Sequence, residues 1–339
     1  MKRSKTFLFL ISSLLLLGIA VLLSLAVGAR NIPLSDLIAT MRGEEIDALY
    51  LPILQKRVLR TVLGLLVGSS LGIAGCLMQT ITRNPIADPS ILGVNTGASF
   101  FVVTGIAFFN IHTTAQYIVF ALAGATLTAL LVFGIASFVP GAGGFRTGSA
   151  NPIRLALSGA AVSTACSSLI STVMLPRTNV MQVFRFWQTG SIGGGTWEGI
   201  RMVLPFLLAG WILAILLIPS LNILALGDDI AMGLGVNVPR TRALGAAAGV
   251  LLCGATTAVA GPIGFVGLMV PHLVRIFCGN DLKYQVPLSA LDGAVLLLLA
   301  DVAGRYLGRP GELEVGIVTA FIGAPLFIII VRKVKVGKG

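Results

Sequence analysis

The sequence predicts an all-α polytopic membrane protein with about ten transmembrane helices. Of its 339 residues, 56% are hydrophobic and 11% are charged, whereas a soluble domain carries roughly a quarter charged residues. Apolar runs near the length that spans a bilayer core, about 20 residues, recur along the chain. We therefore interpret residues 1–339 as a single transmembrane domain.

Ten apolar segments follow one another along the chain. The first follows "MKRSK" and is longer than the core of a signal peptide, about 7–15 residues, so we interpret it as an uncleaved span. The third, seventh and eighth are shortened or interrupted by Gly, Pro or Asn, and glycine is common in membrane spans because it allows close helix packing. The segments are approximately 7–28, 58–81, 91–110, 116–139, 152–175, 201–224, 243–260, 262–277, 286–307 and 314–331.

The basic residues predict the orientation of these spans. With a cytoplasmic N-terminus, ten spans return the C-terminus to the cytoplasm, and the inner loops and both tails are then basic, as the positive-inside rule expects. Three external regions break the rule: Lys56, Arg57 and Arg60; Arg177 and Arg185; Arg305 and Arg309. A single arginine there suits snorkelling at the interface. As a group they suggest a basic surface for an acidic partner, because Arg forms bidentate pairs with carboxylates.

Two interrupted segments suggest an inverted repeat. "NPIADPSILGV" (84–94) follows the second span and "GPIGFVGLMVP" (261–271) follows the seventh, and each opens with Pro-Ile in second and third place. With five spans per half, the two segments would have opposite orientations, as in many transporters.

The sequence shows no arrangement of residues typical of a catalytic or metal-binding site. Its four cysteines lie singly in apolar segments, so neither a metal site nor a disulfide framework is indicated. The phosphate-binding pattern G-x-x-x-x-G-K-[ST] does not occur. We expect no enzymatic activity, cofactor, metal or nucleic-acid partner.

Two acids lie in the ninth span, Asp292 and Asp301. Asp301 precedes Arg305 by four residues, so an ion pair on one helix face is expected. Proton- and sodium-coupled carriers usually need an intramembrane acid, which leaves Asp292 as the candidate for that alternative. Because the sequence shows no convincing proton relay, we expect the energy for uphill transport to come from another subunit.

The loop "GDDIAMGLGV" after the sixth span predicts a short amphipathic helix on the cytoplasmic side. Asp228 is a suitable N-cap, and Asp229 suits the positive end of the helix dipole. Ile230 and Leu234 share one face, and Gly235 is a natural helix stop. Such a helix can also lie in the lipid interface, but interfacial helices are usually basic, and the acids favour a protein partner.

Four long stretches of the sequence resemble one protein family. They are "RVLRTVLGLLVGSSLGIAGCLMQTITRNPIADPSILGVNTGASF", "LGDDIAMGLGVNV", "GPIGFVGLMVPHLVR" and "LLLLADVAGRYLGRPGELEVGIVTAFIGAPLF". From about residue 50 onward the chain is similar to the membrane permease of bacterial ATP-binding-cassette (ABC) importers for iron–siderophore, haem and cobalamin, the FecCD family. "RFWQTGSI" and "PGELEVGIVTAFIGAPL" most resemble permeases for catecholate siderophores such as ferric enterobactin.

The resemblance implies the type II ABC importer permease fold, with ten helices per subunit, in the bacterial inner membrane. It implies a homodimer or heterodimer of permeases, two cytoplasmic ATP-binding-cassette ATPase subunits and a periplasmic substrate-binding protein. Arg57 and Arg60 match the family's external R-x-x-R element, although Val58-Leu59 replaces the common Leu-Pro, and Arg305 matches the arginine after the ninth span. In the family these arginines pair with glutamates of the binding protein.

The resemblance also assigns the loop after the sixth span. Gly227–Val236, within a region of about 225–240, matches the coupling helices that rest in a cleft of the ATPase, and the fifth span with Gln182–Gly190 would line or gate the pathway. The expected function is ATP-driven import of an iron–siderophore. Haem or cobalamin import, an ion-coupled carrier and a membrane scaffold without transport are the alternatives.

Overall fold

The computed structural model describes residues 2–28, 51–137 and 152–333. These parts of the chain form twelve α-helices and one short 3-10 helix. The α-helices are α1 (Lys2–Ala26), α2 (Leu51–Thr82), α3 (Val94–Phe108), α4 (Thr114–Ser137), α5 (Pro152–Met174), α6 (Thr178–Gln188), α7 (Trp197–Leu224), α8 (Asp228–Gly233), α9 (Val238–Ala260), α10 (Val266–Cys278), α11 (Leu282–Leu307) and α12 (Val315–Lys333).

Ten of these helices correspond one to one to the predicted apolar segments, which confirms the all-α polytopic fold. Seven of them, α1, α2, α4, α5, α7, α9 and α11, are long and apolar enough to cross a membrane, and α3, α10 and α12 are shorter apolar helices. The predicted start of the second span, near residue 58, is wrong, whereas the predicted end of the ninth span is confirmed. α2 begins at Leu51, so Arg57 lies inside the helix rather than before it, and Arg305 lies within α11, which ends at Leu307.

Helix α2 is the most buried of the seven long helices. Its glycines lie against the backbone of its neighbours: a Cβ atom at Gly68 would lie 2.5 Å from the Gly293 carbonyl oxygen of α11. A Cβ at Gly72 would likewise meet the carbonyl of Ser289. Because lipid tails are as apolar as leucine, such close backbone contact, rather than hydrophobic exclusion, holds membrane helices together.

The two interrupted segments have the same local architecture, a long helix, a break and a short helix. After α2, Asp88 accepts a hydrogen bond from the Ser90 backbone at 2.9 Å and caps the 3-10 helix Pro89–Leu92. Gly93 then adopts a φ of 71° before α3. After α9, Phe265 has a φ of 68° before α10. This shared pattern agrees with an internal repeat.

Candidate functional site

Three arginines lie at one end of the molecule. Arg57 and Arg60 are one turn apart near the start of α2, and Arg305 lies in the last turn of α11. They are 6%, 5% and 2% exposed. The expectation of an exposed basic surface is therefore wrong for these three, because their charges are satisfied inside the protein.

The carboxylate of Asp301 lies between two of these arginines. Arg60 Nε donates to its Oδ1 and Oδ2 at 2.8 Å and 3.1 Å, and Nη2 lies 2.6 Å from Oδ1. Arg305 Nε lies 3.0 Å from Oδ2, which confirms the pair expected from the four-residue spacing. Asp301 is fully buried, so these contacts offset the cost of removing its charge from water.

A second carboxylate reaches Arg60 from the loop between α11 and α12. Glu312 Oε2 accepts a hydrogen bond from Arg60 Nη1 at 2.6 Å, and the Glu312 side chain is 43% exposed. Partial burial raises the pKa of Glu312, but the hydrogen bond from Arg60 and the charges of Arg60 and Arg305 outweigh it and hold the pKa below its ordinary value. Glu312 is therefore ionised at neutral pH.

The arginines also bind the C-terminal end of α1. Arg57 Nη1 donates to the carbonyl oxygens of Leu25 and Ala26 at 2.8 Å and 2.9 Å, and Arg305 Nη1 donates to that of Val27 at 2.6 Å. The last carbonyls of a helix lack intrahelical partners and carry partial negative charge. Arg57, Arg60, Asp301, Arg305 and Glu312, hereafter the arginine cluster, thus join α1, α2 and α11.

The predicted amphipathic helix is present as α8, within Gly227–Val236, hereafter the coupling segment. Asp228 is not its N-cap, which is a correction: Gly227 holds that position with a φ of 136° and makes no side-chain cap. The Asp228 carboxylate is bound instead by Arg83 and by Arg242 Nη2, the latter at 3.0 Å. Asp229 lies in the first turn, as expected.

These two arginines were not anticipated from the sequence. Arg83 directly follows α2 and also donates to the Leu224 carbonyl at 2.8 Å, whereas Arg242 belongs to α9. Asp228 therefore ties the coupling segment to both long helices. The signal that could have found them is their predicted placement on the same side of the membrane as Asp228.

The coupling segment exposes large apolar side chains. Ile230 and Leu234, predicted to share a face, are 51% and 61% exposed, and Leu226 and Met232 are exposed beside them. Gly235, with a φ of 80°, ends the helix as predicted.

The C-terminal end of α8 fixes the position of Leu234. The amide of Gly235 bonds the Met232 carbonyl at 3.0 Å, and that of Val236 bonds the Ala231 carbonyl at 2.9 Å. This pair of bonds is the Schellman ending of a helix. It holds Leu234, the C-cap residue, in a defined exposed place.

Helix α5 has an exposed face rich in hydroxyl groups. Its mean hydropathy is the lowest of the seven long helices. Four of its exposed hydroxyls donate to carbonyls four residues earlier at 2.9 to 3.0 Å: Thr164, Ser168, Ser171 and Thr172. The oxygen lone pairs stay available, so this face suits water or another protein better than lipid. The segment Gln182–Gly190 begins within α6, which follows α5.

Asp292, the acid that an ion-coupled carrier would need, lies on α11 and hydrogen-bonds Ser13 of α1. The four cysteines are free thiols. Among the described residues, no group of three or more His, Cys, Asp or Glu side chains could hold a metal ion.

Comparisons with known proteins agree on one class of transporter subunit. The model of the FecCD transport family matches residues 15–333. The ferric enterobactin transport system permease protein FepD of Escherichia coli (strain K12) is 44% identical over 94% of this chain and 93% of its own. The Fe(3+)-citrate import system permease protein YfmD of Bacillus subtilis (strain 168) is 42% identical over 92% and 90%. A solved metal-chelate type ABC transporter in an inward-facing conformation has a TM-score of 0.81 at 28% identity, covering 97% of this chain and 100% of its own.

Proposed function

The chain belongs to the FecCD transport family, and we propose that it is the membrane permease subunit of a binding-protein-dependent ABC importer. The proposed cargo is an iron–siderophore complex, moved across the bacterial inner membrane. The 44% identity to a ferric enterobactin permease supports a catecholate siderophore, with ferric citrate, haem and cobalamin as the competing chelates.

The coupling segment is the observation that supports this function most strongly. A short helix with exposed Ile230 and Leu234 offers an apolar projection, and the ion pairs of Asp228 with Arg83 and Arg242 attach that projection to α2 and α9. A separate ATPase subunit that binds Ile230 and Leu234 can therefore move two transmembrane helices, α2 and α9. We assign ATP hydrolysis to two such cytoplasmic subunits, because the chain has no phosphate loop.

Helix α2 connects the two ends of the permease, from the arginine cluster to the coupling segment. Its 32 residues span about 48 Å at 1.5 Å per residue, with the arginine cluster at one end and Arg83 just beyond the other. We propose that the arginine-cluster end faces the periplasm and receives the binding protein. The coupling segment and both termini then lie in the cytoplasm, consistent with the positive-inside rule.

We assign the pathway to the hydroxyl face of α5, at the contact with a second permease subunit, identical or related. A span that faced lipid on all sides would not expose such a row of hydroxyl groups, although α5 also exposes Ile153, Leu157 and Leu169. Binding and hydrolysis of ATP would shift the pair of subunits between two conformations of this pathway. No step of this function alters the cargo chemically.

Uptake by purified components tests the proposal. Proteoliposomes containing the chain with its partner permease and ATPase subunits are supplied with ATP, a binding protein and ferric enterobactin, ferric citrate, haem or cobalamin. ATP-dependent accumulation of the ferric siderophore supports the proposal. Accumulation by the chain alone, driven by a proton gradient and abolished by an uncoupler, would instead favour the ion-coupled carrier with Asp292 as its acid.

A further inference from the structure

Arg60 binds two carboxylates, one of which is buried and the other partly exposed. Asp301 is fully buried and occupies the Nε and Nη2 edge of the guanidinium, whereas Glu312 is 43% exposed and binds Nη1 at 2.6 Å. The guanidinium is planar and its donors form a fixed fork. Loss of Glu312 therefore leaves Arg60 held by Asp301, with Nη1 aimed at the position that Glu312 occupied.

The space beside Glu312 is basic and open. A cavity of about 210 Å³ adjoins it, which is several times the roughly 30 Å³ that one water occupies in the liquid. Among the residues that the structure describes, it is lined by Gly28, Ile53, Lys56, Arg57, Arg60, Arg305 and Glu312. Four of these seven described residues are cationic and one, Glu312, is an acid, so this part of the cavity has room and positive charge for one more carboxylate.

We propose that Glu312 is an internal competitor that occupies Arg60 until a carboxylate of the docking partner displaces it. This inference rests on the proposed function, because it requires the binding protein to dock on the arginine cluster. Glu312 lies in the loop Gly308–Glu314, whose Leu313 amide bonds the Gly304 carbonyl of α11 at 3.1 Å. Only the Glu312 side chain has to swing away, and the loop backbone stays in place.

The exchange replaces one ion pair by another at little net cost. Ion pairs of half-exposed side chains contribute little to stability, so the Glu312 bond to Arg60 is easily broken. The site that it leaves is already rigid, because Asp301 holds Arg60, and a preorganised site loses little entropy on binding. In the absence of a partner, Glu312 keeps Nη1 of Arg60 paired and lowers the affinity of the cluster for other anions.

Glu314 provides a matched control two residues along the same loop. Among the described residues its side chain makes no hydrogen bond or ion pair, and it has no contact with Arg60. Glu312→Gln and Glu314→Gln each remove one negative charge from the same loop. Only the first removes the competitor.

Docking affinity tests the proposal. The permease in nanodiscs, as wild type or variant, is titrated with the binding protein of the Escherichia coli ferric enterobactin system at low and at high salt. We expect Glu312→Gln to lower the dissociation constant roughly two- to fivefold, the range of an exposed ion pair. The advantage over Glu314→Gln should persist at high salt, which screens long-range charge effects.

Several results would overturn the proposal. Equal tightening by Glu312→Gln and Glu314→Gln would show a general charge effect, and weaker docking of Glu312→Gln would make Glu312 a direct contact of the partner. An unchanged affinity of Glu312→Gln, while Arg60→Gln loses docking, would reject the competitor and keep the docking surface. If Arg60→Gln docks as the wild type does, or the wild type does not dock, the docking role of the arginine cluster in the proposed function fails as well.

Discussion

Replacing Asp301 by Asn tests whether the arginine cluster holds α1, α2 and α11 together. Asp301 is fully buried and contacts Arg60 and Arg305. Asparagine keeps the size of the side chain and one acceptor oxygen, but it removes the negative charge that compensates two buried guanidinium groups.

The structure indicates that Asp301→Asn lowers the free energy of unfolding by an amount near the lower end of the range for broken buried ion pairs. Removing one partner of a buried ion pair costs about 3–5 kcal/mol. Arg60 keeps Glu312, and Arg305 keeps the carbonyls of Ser24 and Val27. We therefore expect about 3 kcal/mol, which is roughly a hundredfold change in the folding equilibrium.

Reversible unfolding by SDS in mixed micelles measures this free energy. Asp292→Asn is the matched control, since Asp292 lies on the same helix and hydrogen-bonds Ser13 without an arginine; we expect a loss below about 1 kcal/mol. The double variant Asp301→Asn with Arg305→Gln should recover part of the loss, because removing both members of a buried pair is often nearly neutral. Equal destabilisation by Asp301→Asn and Asp292→Asn would refute the assigned role of Asp301.

Three further outcomes are expected. Asp228→Asn should weaken the attachment of α8 to Arg83 and Arg242 by about 1–2 kcal/mol, so uptake falls several-fold while ATP hydrolysis continues. Asp229→Asn leaves these ion pairs intact and should lower uptake less. The pKa of Glu312 is lowered on folding, so its stabilisation is present above the unfolded pKa of about 4.3 and is lost as the pH falls through the lower folded pKa. Thermal unfolding measured from about pH 5 downward should therefore show a loss of stability that Glu312→Gln lacks. Ser168→Phe on the exposed face of α5 should block uptake, whereas Leu130→Phe, exposed on α4, should leave uptake unchanged.

Local features of the molecule followed from the sequence. The apolar runs located ten helices, and the spacing of Asp301 and Arg305 predicted their ion pair because four residues make one helical turn. The acids and apolar residues of the coupling segment predicted α8 and its exposed face. Each of these features depends on neighbours in sequence, which patterns of period 3.6 can reveal.

Contacts between distant residues were not predictable in this way. Arg60 and Asp301 are 241 positions apart, Arg60 and Glu312 are 252 apart, and Arg83 and Asp228 are 145 apart. Hydropathy also began α2 too late, because Lys56 and Arg57 count as polar in sequence although Arg57 is buried inside the fold. The sequence shows the charges of these arginines but not their distant partners, so a basic surface was expected where the structure has buried ion pairs.

The measurement that tests the central claim most directly is ATP-driven uptake by the Leu234→Arg variant. Leu234 is 61% exposed on the coupling segment, so arginine should place a charge in the ATPase cleft without disturbing the permease core. Leu234→Met, similar in size and polarity, is the control. We predict that Leu234→Arg reaches the membrane in normal amount and transports no chelate, while Leu234→Met transports as the wild type does. Uptake by Leu234→Arg at the wild-type rate would contradict the assignment of Gly227–Val236 as the link to the ATPase.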